Sequence, residues 1–188
     1  MLAIIPIGRI SVRISDYLQQ YTAEIFKTKV KVLPRIRVSL KARNSLRKQY
    51  NANTILEIIL AGFKRKNFEK ILVVIDKDLY VPELNFIFGM VEKIGGRKGI
   101  ISVTRLREEF YCRPKDEILF FERVLKEAVH EIGHLCGISH CGNPRCVMYY
   151  SNGVWDTDAK DHNFCYACRE SLNAKTSLNV CSLSDRRL

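Results

Sequence analysis

The sequence predicts an α/β (α+β) domain built on a mixed, twisted sheet with packed helices, and three observations support this. Short β-branched runs alternate with helical patterns through the first half of the chain, which is the order of a mostly parallel sheet. Two later β-rich runs are joined through Gly95 and Gly96 and read as an antiparallel hairpin. One long amphipathic stretch, from Glu117 to Cys136, has no rival in length among the helical patterns. At 188 residues and 21.8 kDa the chain fits a single domain. Its hydrophobic fraction of 47% and charged fraction of 27% are those of a packed globule.

Taken in order, Ala3–Ile7 reads as a first strand ended by Gly8. Helical spacing then links Ile14, Leu18, Tyr21 and Ile25 within a helix from Val12 to about Phe26. Val30–Val38 reads as a second strand, with Pro34 marking an edge or bulge. Asn53 is expected to cap a helix from Thr54 to about Lys64. Lys70–Asp76 contains the run Ile71–Ile75, a buried strand by length and β-branching. Leu84–Met90 and Gly99–Thr104 supply the last two strands. Asp116 opens the long helix, on which Phe121, Leu125, Ala128, Ile132 and Leu135 mark an apolar stripe. Arg123, Glu127, His130 and His134 gather on the opposite side, with Glu131 on the flank. Gly137 ends the helix, since a left-handed residue is cheap there. The last fifty residues carry little periodicity beyond one short helix near Tyr166–Asn173, so that segment needs stability from something other than a core.

No apolar run approaches the roughly 20 residues of a membrane span, and the start of the chain lacks the basic region of a secretory signal. We therefore expect a cytoplasmic protein with no membrane partner, acting as a monomer. The formal charge is +11 and the sequence pI about 9.4. A cluster comprising Arg35, Arg37, Lys41, Arg43, Arg47 and Lys48 could bind anions, or could be a solvated exterior. The seven cysteines are odd in number, which argues against a fully paired disulfide framework.

The chemistry concentrates in His130-Glu131-Ile132-Gly133-His134. Residues four apart on a helix project from one face, so two imidazoles can grip one ion while Glu131 points near it without binding. Glu131 can take a proton from a zinc-activated water and pass it to the leaving amine. The pattern extends through Gly137 to His140. A sharp exit from the helix at Gly137 lets His140 return as third ligand, leaving the fourth position for water. His162 has no partner at ligand spacing and reads as a surface residue.

His130-x-x-x-His134-x-x-Gly137-x-x-His140 followed by Cys146-Val147-Met148 resembles the metzincin signature of zinc metallopeptidases. The resemblance implies that Met148 forms the apolar base beneath the histidines. It also implies that Tyr150, or its neighbour Tyr149, approaches the zinc as an oxyanion stabiliser, with plain packing as the alternative. Cys141 and Cys146, together with Cys165-Tyr166-Ala167-Cys168, match a closed zinc site of four thiolates. A redox pair or buried thiols are the alternatives. Cys136 reads as core, Cys112 as a remote candidate for the catalytic zinc, and Cys181 as uninformative.

A Cys directly after the third histidine, C-x4-C-x-M and then C-x-x-C is similar to the archaemetzincins. That likeness implies a compact metzincin-like fold with a catalytic and a structural zinc, two ions per chain. The N-terminal part, 1–137, would hold the sheet and active-site helix. An irregular, zinc-clamped C-terminal part, 138–188, would hold the methionine turn and the four-cysteine site. A peptide or protein substrate would lie between them, added to an edge strand for which Leu84–Met90 is the candidate, with Gly89 making room for a second backbone. The rival reading is an inactive zinc protein that uses its positive charge to bind nucleic acid or another anion.

Overall fold

A computed structural model describes residues 1–62 and 68–175. Lys64, the expected end of the second helix, and Cys181 lie outside the described residues.

The chain opens with β1 (Leu2–Ile7), α1 (Val12–Ile25) and β2 (Val30–Val32). Ser11 caps α1, accepting from the Ile14 amide at 3.3 Å. The expected second strand is shorter than its apolar run. It stops before Pro34, which has no amide to donate, and beyond it only Ile36 touches β1, as an isolated bridge to Ile7. Next come β3 (Arg43–Asn44), β4 (Gln49–Asn51), α2 (Ala52–Gly62) and β5 (Lys70–Ile75). Asn51, not Asn53, caps α2: its side chain accepts from the Thr54 amide at 3.1 Å, and the helix starts two residues earlier than expected.

The stretch expected as one strand over 84–90 is divided. After β6 (Leu79–Val81), β7 (Leu84–Ile87) pairs antiparallel with β6, whereas β8 (Gly89–Val91) pairs antiparallel with β9 (Lys98–Ser102). The chain changes sheets between Ile87 and Gly89. The larger sheet has the order β2-β1-β5-β9-β8, parallel throughout except for β8 at its edge. The smaller has the order β3-β4-β6-β7.

Both faces of the large sheet are covered, which explains its unbroken apolar runs. Ile4, Leu72, Val74 and Ile101 point into a core shared with α1, the long helix and the C-terminal segment. Ala3, Ile5, Ile71, Val73 and Ile75 point into a second core under α2 and the small sheet. Each buried Ile, Leu or Val contributes about 1.5–3 kcal/mol of transfer free energy.

The long helix, α3 (Glu117–Leu135), starts where the sequence says: Asp116 accepts from the Leu119 amide at 2.9 Å. Its polar side, opposite the apolar stripe, is not open to solvent. Arg123, Glu127, His130 and His134 are all buried. The reason lies in the segment after it, which lacks a core of its own and covers this face with polar partners. Arg123 makes a bidentate contact with Asp158 at 2.6 and 2.7 Å and an ion pair with Glu108 at 2.6 Å. Glu127 pairs with Lys160 at 3.0 Å and accepts from the Thr157 hydroxyl at 3.1 Å. Two short helices complete the described residues, α4 (Val154–Ala159), absent from the sequence reading, and α5 (Tyr166–Lys175) close to where it was expected. No helix among the described residues is long and apolar enough to cross a membrane.

Candidate active site and metal centres

His130 and His134 stand one turn apart on α3, and each is oriented by a backbone carbonyl. Nδ1 of His130 meets the Val147 carbonyl at 2.7 Å, and Nδ1 of His134 meets that of Ile138 at 2.7 Å. Those bonds place the ring protons on Nδ1 and leave lone pairs on Nε2. The chain leaves the helix through Gly137, whose φ of 90° is left-handed and suits glycine, and returns with His140. The Nε2 atom of His134 then lies 3.1 Å from that of His130 and 3.2 Å from that of His140. Lone pairs converging at these distances repel unless a cation lies among them. A tetrahedral ion with nitrogen ligands at about 2.0–2.1 Å requires them about 3.3–3.4 Å apart, so zinc fits the set. Burial first, then the charge of Lys160 and the neighbouring imidazole, holds the His130 pKa well below its ordinary value, which favours the neutral ring a metal needs.

Met148 is fully buried and packs against Gly133, between the two helical histidines. Gly133 has no room for a side chain: a Cβ there would lie 2.5 Å from the Met148 sulfur and 3.1 Å from the Phe164 ring. Glu131 is buried, and its Oε2 has no hydrogen-bond partner. Burial, and secondarily the charge of Glu127, pushes its pKa well above the ordinary carboxylate value. Such a carboxylate is poised to receive a proton. Above it runs Gly89, where a Cβ would lie 2.5 Å from Glu131 Oε1 and 2.9 Å from Cδ. The space that Gly89 leaves is thus filled by the carboxylate of Glu131.

His130, Glu131, His134, His140 and Gly89 line a cavity of about 480 Å³, bounded by β7 and β8 on one side and by Tyr150–Asn152 on the other. The Tyr150 ring lies 5.0 Å from that of His140, edge to face. Tyr149 is turned away, half-buried, with its carbonyl 3.5 Å from the Lys160 ammonium. Lys160 was not singled out in the sequence. It is buried among the cavity walls with its charge balanced by Glu127. The only hint was that a buried polar stripe on α3 must find polar partners elsewhere.

A second cluster brings together the sulfur atoms of Cys141, Cys146, Cys165 and Cys168, all within 4.8 Å of one another. Cys141 and Cys165 are 3.8 Å apart, the edge of a tetrahedron with metal–sulfur bonds of about 2.3 Å. No pair is disulfide-bonded. The Asn143 and Cys165 amides donate to Cys141 and Cys146 sulfurs at 3.4 and 3.3 Å, as suits thiolates. Cys141 follows His140 directly, so this cluster anchors the third histidine. Cys136 is half-buried at the rim of the core, with its thiol pushed up to about 11 by burial. Cys112 is exposed and belongs to neither cluster. His162 is not the surface residue its isolation implied. It is half-buried, with Nε2 enclosed and unpartnered, because the loop before Phe164 folds against α3.

A model of peptidase family M54 matches residues 7–174. The archaemetzincin of Methanocaldococcus jannaschii is 38% identical over 172 residues, covering 91% of this chain and 92% of that one. That of Archaeoglobus fulgidus is 42% identical over 157 residues, covering 84% and 89%. Among solved structures, Archaeoglobus fulgidus archaemetzincin complexed with malonate superposes with a TM-score of 0.78 at 38% identity, over 94% of this chain and all of that one. Archaemetzincin from Methanopyrus kandleri gives 0.79 at 34% identity, over 93% and 94%. With its histidine and cysteine clusters and its sheet order accounted for, the chain belongs to peptidase family M54, the archaemetzincins, and is a zinc metallopeptidase.

Proposed function

We propose that His130, His134 and His140 hold the catalytic zinc, that Glu131 is the general base, and that Cys141, Cys146, Cys165 and Cys168 hold a second, structural zinc. The observation that carries this reading is the partnerless carboxylate oxygen of Glu131, enclosed beside lone pairs that converge at 3.1–3.2 Å. A zinc ion in the histidine site supplies Lewis acidity, making water a better nucleophile and polarising the scissile carbonyl. Glu131 accepts the proton of the attacking water at its free oxygen and delivers it to the departing amine. Its raised proton affinity suits the first half of that transfer, the acceptance of the proton. The Tyr150 hydroxyl, at the cavity edge beside His140, donates to the oxyanion that develops on the carbonyl. No residue of the cavity is called on to form a covalent intermediate.

The peptide lies along β8, antiparallel to its neighbour and unpaired on its outer side. Strand addition there sets a backbone carbonyl above His130 and Glu131. Residues 1–137 supply the sheet and α3, and residues 138–188 supply the methionine turn and the four-cysteine clamp, with the substrate between them. Digestion of a peptide library by zinc-replete protein, read by mass spectrometry, tests the reading. Cleavage by wild type and none by Glu131→Ala of equal zinc content is expected. Equal cleavage by both would remove Glu131 from the mechanism.

A further inference from the structure

The positive charge of this chain is not spread over its surface. Between Glu24 and Glu57 there are nine Lys and Arg and no acidic residue, whereas the rest of the chain has twenty-two basic against twenty acidic. All nine are exposed, and none forms an ion pair among the described residues.

The topology places them together. Lys29 and Lys31 lie on and beside β2, the outermost strand of the large sheet. Arg35 and Arg37 follow as the chain continues along β1, held by the Leu33 and Ile36 amides at 2.8 and 2.9 Å. Arg43 lies in β3, the outermost strand of the small sheet. The basic segment therefore supplies the outermost strand of each sheet. Two leucines stand out on it, Leu40 at 73% and Leu46 at 97% exposure.

This segment is joined to the catalytic cavity by Arg47. Its guanidinium stacks over Tyr80 at 4.4 Å and donates to the carbonyls of Leu84 and Asn85 at 3.2 and 2.9 Å. Leu84 and Asn85 line the cavity. From β7 at the cavity wall to β3 is three strand spacings, about 14 Å, which about four or five extended residues cover.

We propose that this segment is a docking surface for an acidic stretch of the polypeptide substrate, lying several residues from the bond that is cut. The proposal rests on the peptidase reading above and adds a substrate class to it. Charge complementarity supplies the attraction, and the two exposed leucines accept apolar residues interspersed with the acids. An acidic polypeptide fits better than nucleic acid. The two aromatic residues of the segment, Phe26 and Tyr50, are buried, and the half-buried ring of Tyr80 beside it is already covered by the Arg47 guanidinium at 4.4 Å, so the segment itself offers no ring on which a base could stack.

The test uses peptides with one cleavable core, extended at either end by five alternating Asp and Glu or by five alternating Asn and Gln. Fluorescence anisotropy reads binding, and hydrolysis reads the ratio of kcat/KM between acidic and uncharged forms. An oligonucleotide of equal charge is the third ligand. Wild type should bind one acidic form about tenfold more tightly than its uncharged match at low salt, with the preference shrinking as salt is raised. Arg35→Glu, Arg37→Glu and Arg43→Glu combined should abolish the preference, and the milder Arg→Gln triple variant should reduce it. Equal binding of acidic and uncharged peptides by wild type would overturn the proposal. So would an unchanged preference in a folded variant, or tighter binding of the oligonucleotide. Should no peptide be cleaved, the peptidase reading fails by itself, while anisotropy still decides the docking surface.

Discussion

Replacing Gly89 with alanine perturbs the site at a single point. The residue has no positive φ, so the backbone accepts alanine without strain. The cost lies in the methyl group, which would sit 2.5 Å from Glu131 Oε1 and 2.8 Å from Cγ. Ordinary carbon–oxygen contacts are about 3.4 Å or longer, so the carboxylate must withdraw by most of an ångström. A misplacement of about 1 Å in catalytic geometry costs about 100-fold in rate. Gly89→Ala should therefore lower kcat about 100-fold, towards the level of Glu131→Ala, while zinc content stays at the wild-type value. Steady-state hydrolysis of a fluorogenic peptide with parallel elemental analysis makes the measurement. An unchanged kcat with a raised KM would refute this reasoning and return Gly89 to the role of making room for substrate. Loss of zinc would refute it differently, by showing that the strand, not the carboxylate, had moved.

Three further outcomes follow from the packing. Cys165→Ser should remove one zinc and lower stability to chelator and heat, and should weaken the histidine site through the Cys141–His140 link; melting with and without chelator reads this. Gly133→Ala should force Met148 from its place against α3 and cost about 1–3 kcal/mol of stability, measurable by denaturant unfolding. Arg123→Met should destabilise by about 3 kcal/mol, because Glu108 and Asp158 lose the cation between them. The same network gives an acid limb. Burial alone would raise the Glu108 pKa, but hydrogen bonds from Arg123 and Arg113 outweigh it and hold it below the ordinary carboxylate value. Its stabilising contribution is thus present at neutral pH and is lost as pH falls below about 4, through the lowered pKa.

The histidine triad and the cysteine clamp were legible in the sequence because their chemistry is local. Four-residue spacing on a helix fixes His130 and His134, Gly137 fixes the exit, and paired cysteines fix two corners of a tetrahedron. The strands β1 and β5 were legible for a similar reason, since five or six consecutive apolar residues admit few alternatives. What was hidden depends on distant partners. Strands β3, β4 and β6 have two or three residues each, too few to show a period. The division of 84–90 is set by which strand faces each half, and nothing within Phe86–Met90 records that. Nothing in the sequence singled out Lys160, and only the buried carboxylate of Glu127 explains its place. What covers the polar face of α3 was likewise hidden, since it comes from a segment with almost no periodicity.

The central claim is that this chain builds two zinc centres, one from three histidines beside Glu131 and one from four cysteines. Anomalous diffraction from crystals of the untreated protein, collected on both sides of the zinc edge, tests it most directly. Two peaks are predicted, one about 2.1 Å from the Nε2 atoms of His130, His134 and His140, and one about 2.3 Å from four sulfur atoms. A single peak, a peak bound to the Glu131 carboxylate in place of a histidine, or a disulfide within the cysteine cluster would contradict it.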